Sequence, residues 1–280
     1  MGTALITGGT SGIGAAYARV LAERGDDLVL VARNRERLDR EAAALRSRYG
    51  ARVDVLPADL AVRSEVTRVM ERLESATEPI DTFVNNAGFG LHADLLTTDT
   101  TENERAFDVM CRAVYLLGGA AARAMLARGR GEILNTSSSS AFITNGNYSA
   151  IKAWVLVYSE ALATQLHGTD VHVTAFCPGW IHTEFHDRAG IDASKLPPMV
   201  WIDADRSVRE ALSYVARGKV VCVPSPQWKV AIAISRVLPR ATIRWISGKL
   251  SRSRGPHPGT LAAPAAASGT DPDGPAGPRS

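Results

Sequence analysis

Tyr148 and Lys152 stand four residues apart in Tyr148-Ser149-Ala150-Ile151-Lys152, at the head of an amphipathic segment that continues to His167. On a helix, residues at this spacing share one face, so an ammonium group comes to lie near a phenol. A nearby positive charge favours phenolate, and the tyrosine pKa is expected to fall towards working pH. Such a pair can exchange a proton with a substrate oxygen while a hydride moves at carbon. The spacing recurs by chance, so its meaning depends on its companions.

One companion is the turn Gly8-Gly9-Thr10-Ser11-Gly12-Ile13-Gly14, which follows the apolar run Thr3–Thr7 and precedes a helical pattern. Glycines let the backbone turn tightly and approach a ligand closely. The free N–H groups and dipole of the next helix then favour a pyrophosphate. The spacing is Gly-x-x-x-Gly-x-Gly, not the common Gly-x-Gly-x-x-Gly. The second apolar run ends at Val31-Ala32-Arg33-Asn34, with no Asp or Glu between Leu28 and Arg35. An acid there would serve the ribose 2′-hydroxyl of NAD, whereas an arginine accommodates the 2′-phosphate of NADP. Arg33, with Asn34 and Arg37 nearby, is the candidate clamp, and NADP(H) the expected cofactor.

These residues must be positioned by a repeating scaffold. Apolar runs occur at Thr3–Thr7, Leu28–Ala32, Arg52–Leu56, Thr82–Asn85, Glu132–Thr136, Val171–Cys177 and Lys219–Val223. Helix-like segments such as Gly14–Arg24 and Arg35–Tyr49 lie between them. Runs dense in Val, Ile and Leu suit strands covered on both faces. The β-α alternation predicts an α/β, doubly wound, parallel, Rossmann-like sheet in one domain, with ligands beyond the C-terminal strand ends.

A chain of 280 residues can bury a sizeable core. Its net charge of +3 is too small to argue for nucleic acid. Cys111, Cys177 and Cys222 are widely spaced and read as reduced thiols of a cytoplasmic protein, not metal ligands. The N-terminus has no signal-peptide pattern, and no long uncharged apolar run predicts a membrane span. His182-Thr183-Glu184-Phe185-His186 departs from His-Glu-x-x-His, so no metal centre is expected.

Taken in order, the motifs resemble the short-chain dehydrogenase/reductase family, in its compact single-domain branch. The likeness runs from about Gly2 to Val223. It is carried by Thr7-Gly8-x-x-x-Gly12-Ile13-Gly14, Asp59-Leu60, Asn85-Asn86-Ala87-Gly88, a serine run, Tyr148-x-x-x-Lys152 and Pro178-Gly179-x-x-x-Thr183. The resemblance implies that Asp59 and Leu60 sit by the adenine, and that Asn86, Ala87 and Gly88 line the cofactor. It places Pro178, Gly179 and Thr183 on the nicotinamide side and gives Lys152 the nicotinamide ribose. It also implies a homodimer or homotetramer, through the fourth and fifth helices.

Two departures stand out. Ser137, Ser138, Ser139 and Ser140 form a run that ends only eight residues before Tyr148, closer than the family's catalytic serine usually lies. Strand register favours Ser138, whose hydroxyl could bond the substrate oxygen. The resemblance also implies a relay asparagine in the long fourth helix, where this chain has Met110, and a thioether is only a weak acceptor. The expected function is interconversion of a ketone and a secondary alcohol, on an apolar small molecule. The alternative is a cofactor-binding regulator or scaffold with impaired catalysis.

The C-terminal part adds a separate signal. Ala211–Thr270 contains no Asp or Glu, and Lys229, Arg236, Arg240, Arg244, Lys249, Arg252 and Arg254 interleave with apolar residues, among them Trp228 and Trp245. Pro239 predicts two short helices. Such a segment suits a membrane surface, an acidic carrier, a cap over the substrate pocket or an oligomer contact. Trp180, Phe185, Met199 and Trp201 could form an apolar substrate wall. The expected organisation is a catalytic domain over 1–226, a basic amphipathic segment over 227–250 and a disordered, Pro/Gly/Ala/Ser-rich tail over 251–280.

Overall fold

A computed structural model describes residues 2–91, 93–181 and 200–252. Thr183, the other residues of 182–186, Met199 and the tail from 253 onward therefore lie outside the described residues.

Seven parallel strands make one sheet. They are β1 (Thr3–Thr7), β2 (Asp27–Ala32), β3 (Val53–Pro57), β4 (Thr82–Asn85), β5 (Gly131–Thr136), β6 (Val171–Phe176) and β9 (Val221–Cys222). Their order is β3-β2-β1-β4-β5-β6-β9. The expected apolar runs thus became strands, each shifted by at most two residues at an end. A small pair, β7 (Trp180–Ile181) and β8 (Trp201–Ile202), stands apart from the sheet and carries an edge-to-face contact of Trp180 and Trp201.

Both faces of the sheet are covered, which explains its continuous apolar strands. Side chains alternate across each strand. Leu5, Phe83 and Ile133 point to one face, where they meet α3 (Arg63–Leu73), the helical run Thr101–Arg128 and α6 (Gly146–Gln165). Ala4, Ile6, Val84 and Leu134 point to the other, where they meet α1 (Gly12–Glu23), α2 (Arg35–Tyr49) and α7 (Ala204–Val215). Each large side chain fully buried this way contributes about 1.5–3 kcal/mol.

The run Thr101–Arg128 is long and apolar enough to cross a membrane, but more than half of its most apolar window is buried in this core. It comprises α4 (Thr101–Phe107), a π-helical turn (Asp108–Arg112) and α5 (Ala113–Arg128). The π turn contains no Gly or Pro that would announce it. Such turns recur inside α-helices at functional sites, and Met110 lies at the middle of this one.

The order reverses between β1 and β4, whose neighbours diverge to opposite edges of the sheet. A crevice opens there beyond the C-terminal strand ends. Thr7, Asn85 and Thr136 end three adjacent strands at that edge, so the motifs that follow them converge on it. Beyond β9, α8 (Pro226–Val237) and α9 (Arg240–Arg252) form the two helices that Pro239 predicted.

Candidate active site

The turn after β1 is shaped for a close approach. Gly8 has φ +68°, in the left-handed region that a side chain disfavours. A Cβ at Gly14 would stand 2.1 Å from the Gly8 carbonyl oxygen, so only glycine lets α1 start this near the turn. Ser11 is the N-cap of α1, yet its side chain makes no capping bond, and the first turn holds no acid. In α2, by contrast, Asn34 caps by accepting from the Arg37 N–H at 2.8 Å, and Glu36 occupies the first turn. The start of α1 therefore keeps its N–H donors and positive dipole end available to an anion. Thr10, Ser11, Gly12, Ile13 and Gly14 form this cradle.

Arg33 follows β2 and is exposed, with a guanidinium that makes no ion pair among the described residues. Arg37 reaches the same rim, where its Nε donates to the Thr10 carbonyl at 3.0 Å. Asn34 is committed to its cap, so its expected share in ligand binding falls to backbone and shape. Two arginines at the end of β2 are a donor set for a phosphate. Asp59 faces Arg105 of α4, which donates to both carboxylate oxygens at 2.9 and 2.8 Å. Burial alone would raise the Asp59 pKa, but Arg105, the Ala61 N–H and the charge of Arg33 together hold it low. Leu60 is buried in the core.

Thr7 organises the next segment. Its hydroxyl accepts from the backbone N–H of Asn86 at 2.8 Å and of Ala87 at 3.0 Å. The Asn86 side chain donates to the Thr7 carbonyl and accepts from the Thr136 hydroxyl, tying three strand ends together. Gly88 then comes against two side chains. The Met110 Sδ and the Lys152 Nζ lie 3.1 and 3.7 Å from the point where a Cβ of Gly88 would stand. Met110 is itself almost fully buried, so its thioether lines the position beside Lys152 that the relay asparagine was expected to fill.

The four serines divide their work. Ser137 is buried and donates from its hydroxyl to the Lys152 carbonyl at 2.7 Å. Ser138 bonds the Tyr148 phenol side chain to side chain, and its Oγ also accepts from the Ser140 N–H at 3.1 Å. Ser139 and Ser140 enter a short 3-10 turn, Ser139–Phe142, which takes up most of the shortened loop before α6. Ser138 is thus the hydroxyl at the phenol. The run alone could not choose among them, because the choice depends on where the 3-10 turn begins.

Tyr148 and Lys152 occupy the first two turns of α6, with the Lys152 Nζ 5.6 Å from the centre of the phenol ring. The lysine is buried and donates to the Thr136 carbonyl at 2.9 Å. Burial pushes its pKa down from 10.5 to about 8. Here the structure corrects the expectation for Tyr148. Its pKa is pushed up to about 12 by burial, with the Ser138 hydrogen bond opposing the rise, and Lys152 is not among the causes. Desolvation penalises phenolate more than an ammonium bonded elsewhere can offset. Near neutral pH the phenol therefore keeps its proton, which suits it to act as a proton donor.

Several of these features were not read from sequence. The roles of Thr7, Ser137 and Thr136 as supports, and of Arg105 on Asp59, depend on residues 46 to 80 positions apart, except Ser137 and Thr136, which hold Lys152 directly. Cys111, Cys177 and Cys222 are free and buried, and burial raises each thiol's pKa. Pro178 is buried, and its carbonyl accepts from the Ser139 N–H at 2.8 Å. Gly179 lies against the Trp228 ring of α8, where a Cβ would overlap it at 2.0 Å.

Comparison with known proteins agrees with this fold. Residues 2–193 match the family model for short chain dehydrogenase. A short-chain dehydrogenase from Sphingobium yanoikuyae, solved in complex with NADPH, is 35% identical, with a TM-score of 0.76 over 84% of this chain and 94% of that one. The bulky-bulky ketone specific alcohol dehydrogenase from Comamonas testosteroni is 30% identical, with a TM-score of 0.72 over 86% and 96%. The ketoacyl reductase HetN of Nostoc sp. is 25% identical over 84% of this chain and 82% of its own length. With the motif order, the sheet topology and the family match in agreement, the chain belongs to the short-chain dehydrogenase/reductase family of oxidoreductases.

Proposed function

We propose that this protein is an NADP(H)-dependent oxidoreductase that interconverts a ketone and a secondary alcohol, with Tyr148 as the proton donor and acceptor. The observation that carries the reading is the Ser138 hydroxyl bonded to a protonated Tyr148 phenol beside the buried Lys152 ammonium. When bound, the nicotinamide supplies or accepts the hydride. In reduction, the Tyr148 Oη–H bond breaks and its proton passes to the carbonyl oxygen. Ser138 donates a hydrogen bond to that oxygen as negative charge grows on it. The Ser138 hydroxyl, bonded to the phenol, opposes the cost of the phenolate left behind, and the Lys152 ammonium stands 5.6 Å from its ring.

The cofactor-holding roles follow the same donor chemistry. The start of α1, with Gly8, Thr10, Ser11, Gly12, Ile13 and Gly14, would hold the pyrophosphate. Arg33, with Arg37, would take the 2′-phosphate, and Asp59 the adenine side. Asn86, Ala87 and Gly88 would line the cofactor, with Pro178 and Gly179 at the nicotinamide side and Lys152 on its ribose. NADPH in the Sphingobium yanoikuyae neighbour and the bulky ketones of the Comamonas testosteroni one support this cofactor and a ketone substrate. Exposed Phe107, Tyr115 and Leu126, with Trp154 and Val157 of α6, offer an apolar face for assembly of identical copies. A cytoplasmic setting fits the three free thiols.

The test is NADPH-driven reduction across ketones of increasing bulk, by wild type and Tyr148→Phe. Turnover by wild type and its loss in the variant are expected, with NADPH binding retained. Full-speed hydride transfer by Tyr148→Phe would refute the mechanism. Met110 against Gly88 favours a second reading, a cofactor-binding regulator. Its signature is NADPH binding by wild type without turnover on any ketone.

A further inference from the structure

The helices α8 and α9 have apolar residues on two opposite faces. On the inner faces, Ile232 and Ile243 are buried, the Trp228 Nε1 donates to the Val200 carbonyl at 3.1 Å, and the Ser247 hydroxyl accepts from the Thr144 N–H at 3.1 Å. Arg236 stacks on the Phe142 ring at 5.2 Å. The inner faces thus brace the segment between β5 and α6 that leads to Tyr148. Helical spacing places Val230, Ile234 and Val237 on one stripe of α8, opposite Trp228 and Ile232. That stripe faces solvent, at 59%, 52% and 82% exposure, and Trp245 of α9 is 61% exposed.

The charge on these two helices has one sign: they carry Lys229, Arg236, Arg240, Arg244, Lys249 and Arg252 and no Asp or Glu. Glu210 neutralises Lys229, through an ion pair of 2.6 Å. Arg240 and Arg244 are exposed and make no ion pair among the described residues. The Lys249 Nζ sits over the face of the Trp245 ring, 3.9 Å from its centre.

We propose that α8 and α9 form a docking surface for an anionic lipid bilayer, with Val230, Ile234, Val237 and Trp245 entering the headgroup boundary and the cations resting on acidic headgroups. An apolar stripe bordered by Lys and Arg, with a Trp at its rim, has the composition of an interfacial helix. A second copy of this chain fits less well, because the face would bring like charges together. An acidic protein partner would leave the Val–Ile–Val stripe without a matching need. The docked helices pack by their inner faces on the segment leading to Tyr148, so, on the function proposed above, docking would hold the site close to a bilayer that carries an apolar ketone.

The test is sedimentation of the full-length protein with vesicles of phosphatidylcholine alone, or with one third phosphatidylglycerol, at low salt. Binding at least about tenfold stronger to the anionic vesicles is expected, weakening as salt rises. Ile234→Glu with Val237→Glu should lower that binding at least about tenfold with Tm unchanged, since both side chains are in water in the free protein. If that double variant does not fold, Arg240→Glu with Arg244→Glu reads the same loss. Tyr148→Phe should bind vesicles like wild type, which separates docking from the catalytic reading. A wild-type protein that stays in the supernatant, or variants that sediment like it, overturns the proposal. So does a halved mass in light scattering for Ile234→Glu with Val237→Glu when wild type binds no vesicles, because the stripe then joins two copies.

Discussion

Replacing Lys152 with methionine should make the protein more stable at pH 7 while removing its turnover. Burial takes the Lys152 pKa from 10.5 to about 8. At about 1.4 kcal/mol for each pH unit, keeping the charge in place costs about 3 kcal/mol below pH 8. Methionine is unbranched, fits the same slot and carries no charge. The variant loses the bond to the Thr136 carbonyl, now 2.9 Å long, which takes back about 1 kcal/mol. The net gain is about 2 kcal/mol, or a Tm rise of about 4–8 °C for a chain of this size. Between pH 8 and 10.5 the unfolded chain binds more protons at Lys152 than the folded one does, so wild-type stability rises with pH there. The penalty is complete below about 8 and gone above 10.5. Methionine does not titrate, so the advantage of the variant should close across that window. Tyr148 acts in the opposite direction above pH 10, but it is present in both proteins. Turnover should fall by about 100-fold or more. Chemical denaturation at pH 7, 8, 9 and 10, with NADPH oxidation measured alongside, reads both effects. A variant less stable than wild type at pH 7, or an equal gap at pH 7 and pH 10, would show that the buried charge is not costly.

Gly14→Ala would put a methyl group 2.1 Å from the Gly8 carbonyl oxygen and 2.7 Å from the Asn86 Nδ2. It should cost about 1–3 kcal/mol and weaken NADPH at least about tenfold, and an unchanged fluorescence titration would remove the cradle assignment. Ser138→Ala should lower kcat by about 100-fold or more at nearly constant stability. Ser137→Ala should instead cost about 0.5–1.5 kcal/mol, by removing one buried hydrogen bond to the Lys152 carbonyl; equal kcat losses in the two would erase the distinction drawn between them. Met110→Asn places an amide in an almost fully buried slot, so it should lower stability by about 1–3 kcal/mol. If proton relay limits the rate, it should also raise kcat and shift the pH–rate profile, and an unmoved profile would show that this position does not serve the relay.

The motifs were legible because each needs a residue type that few others can replace. Gly14 permits no Cβ, Arg33 stands where an acid would select the other cofactor, and Tyr148 and Lys152 are linked by one helical turn. The strands were legible for a similar reason, since a sheet covered on both faces demands unbroken apolar runs such as Leu28–Ala32. Which serine meets the phenol was decided by the 3-10 turn at Ser139–Phe142, and the π turn that carries Met110 has no local signature. The acidity of Tyr148 was also beyond the sequence. Adjacency to Lys152 argues for a lowered pKa, but the sign depends on how much water each group loses, and folding buries both while giving the ammonium to Thr136. Spacing along the chain determined which groups meet, whereas desolvation, a property of the packed whole, decided what each of them does with its proton.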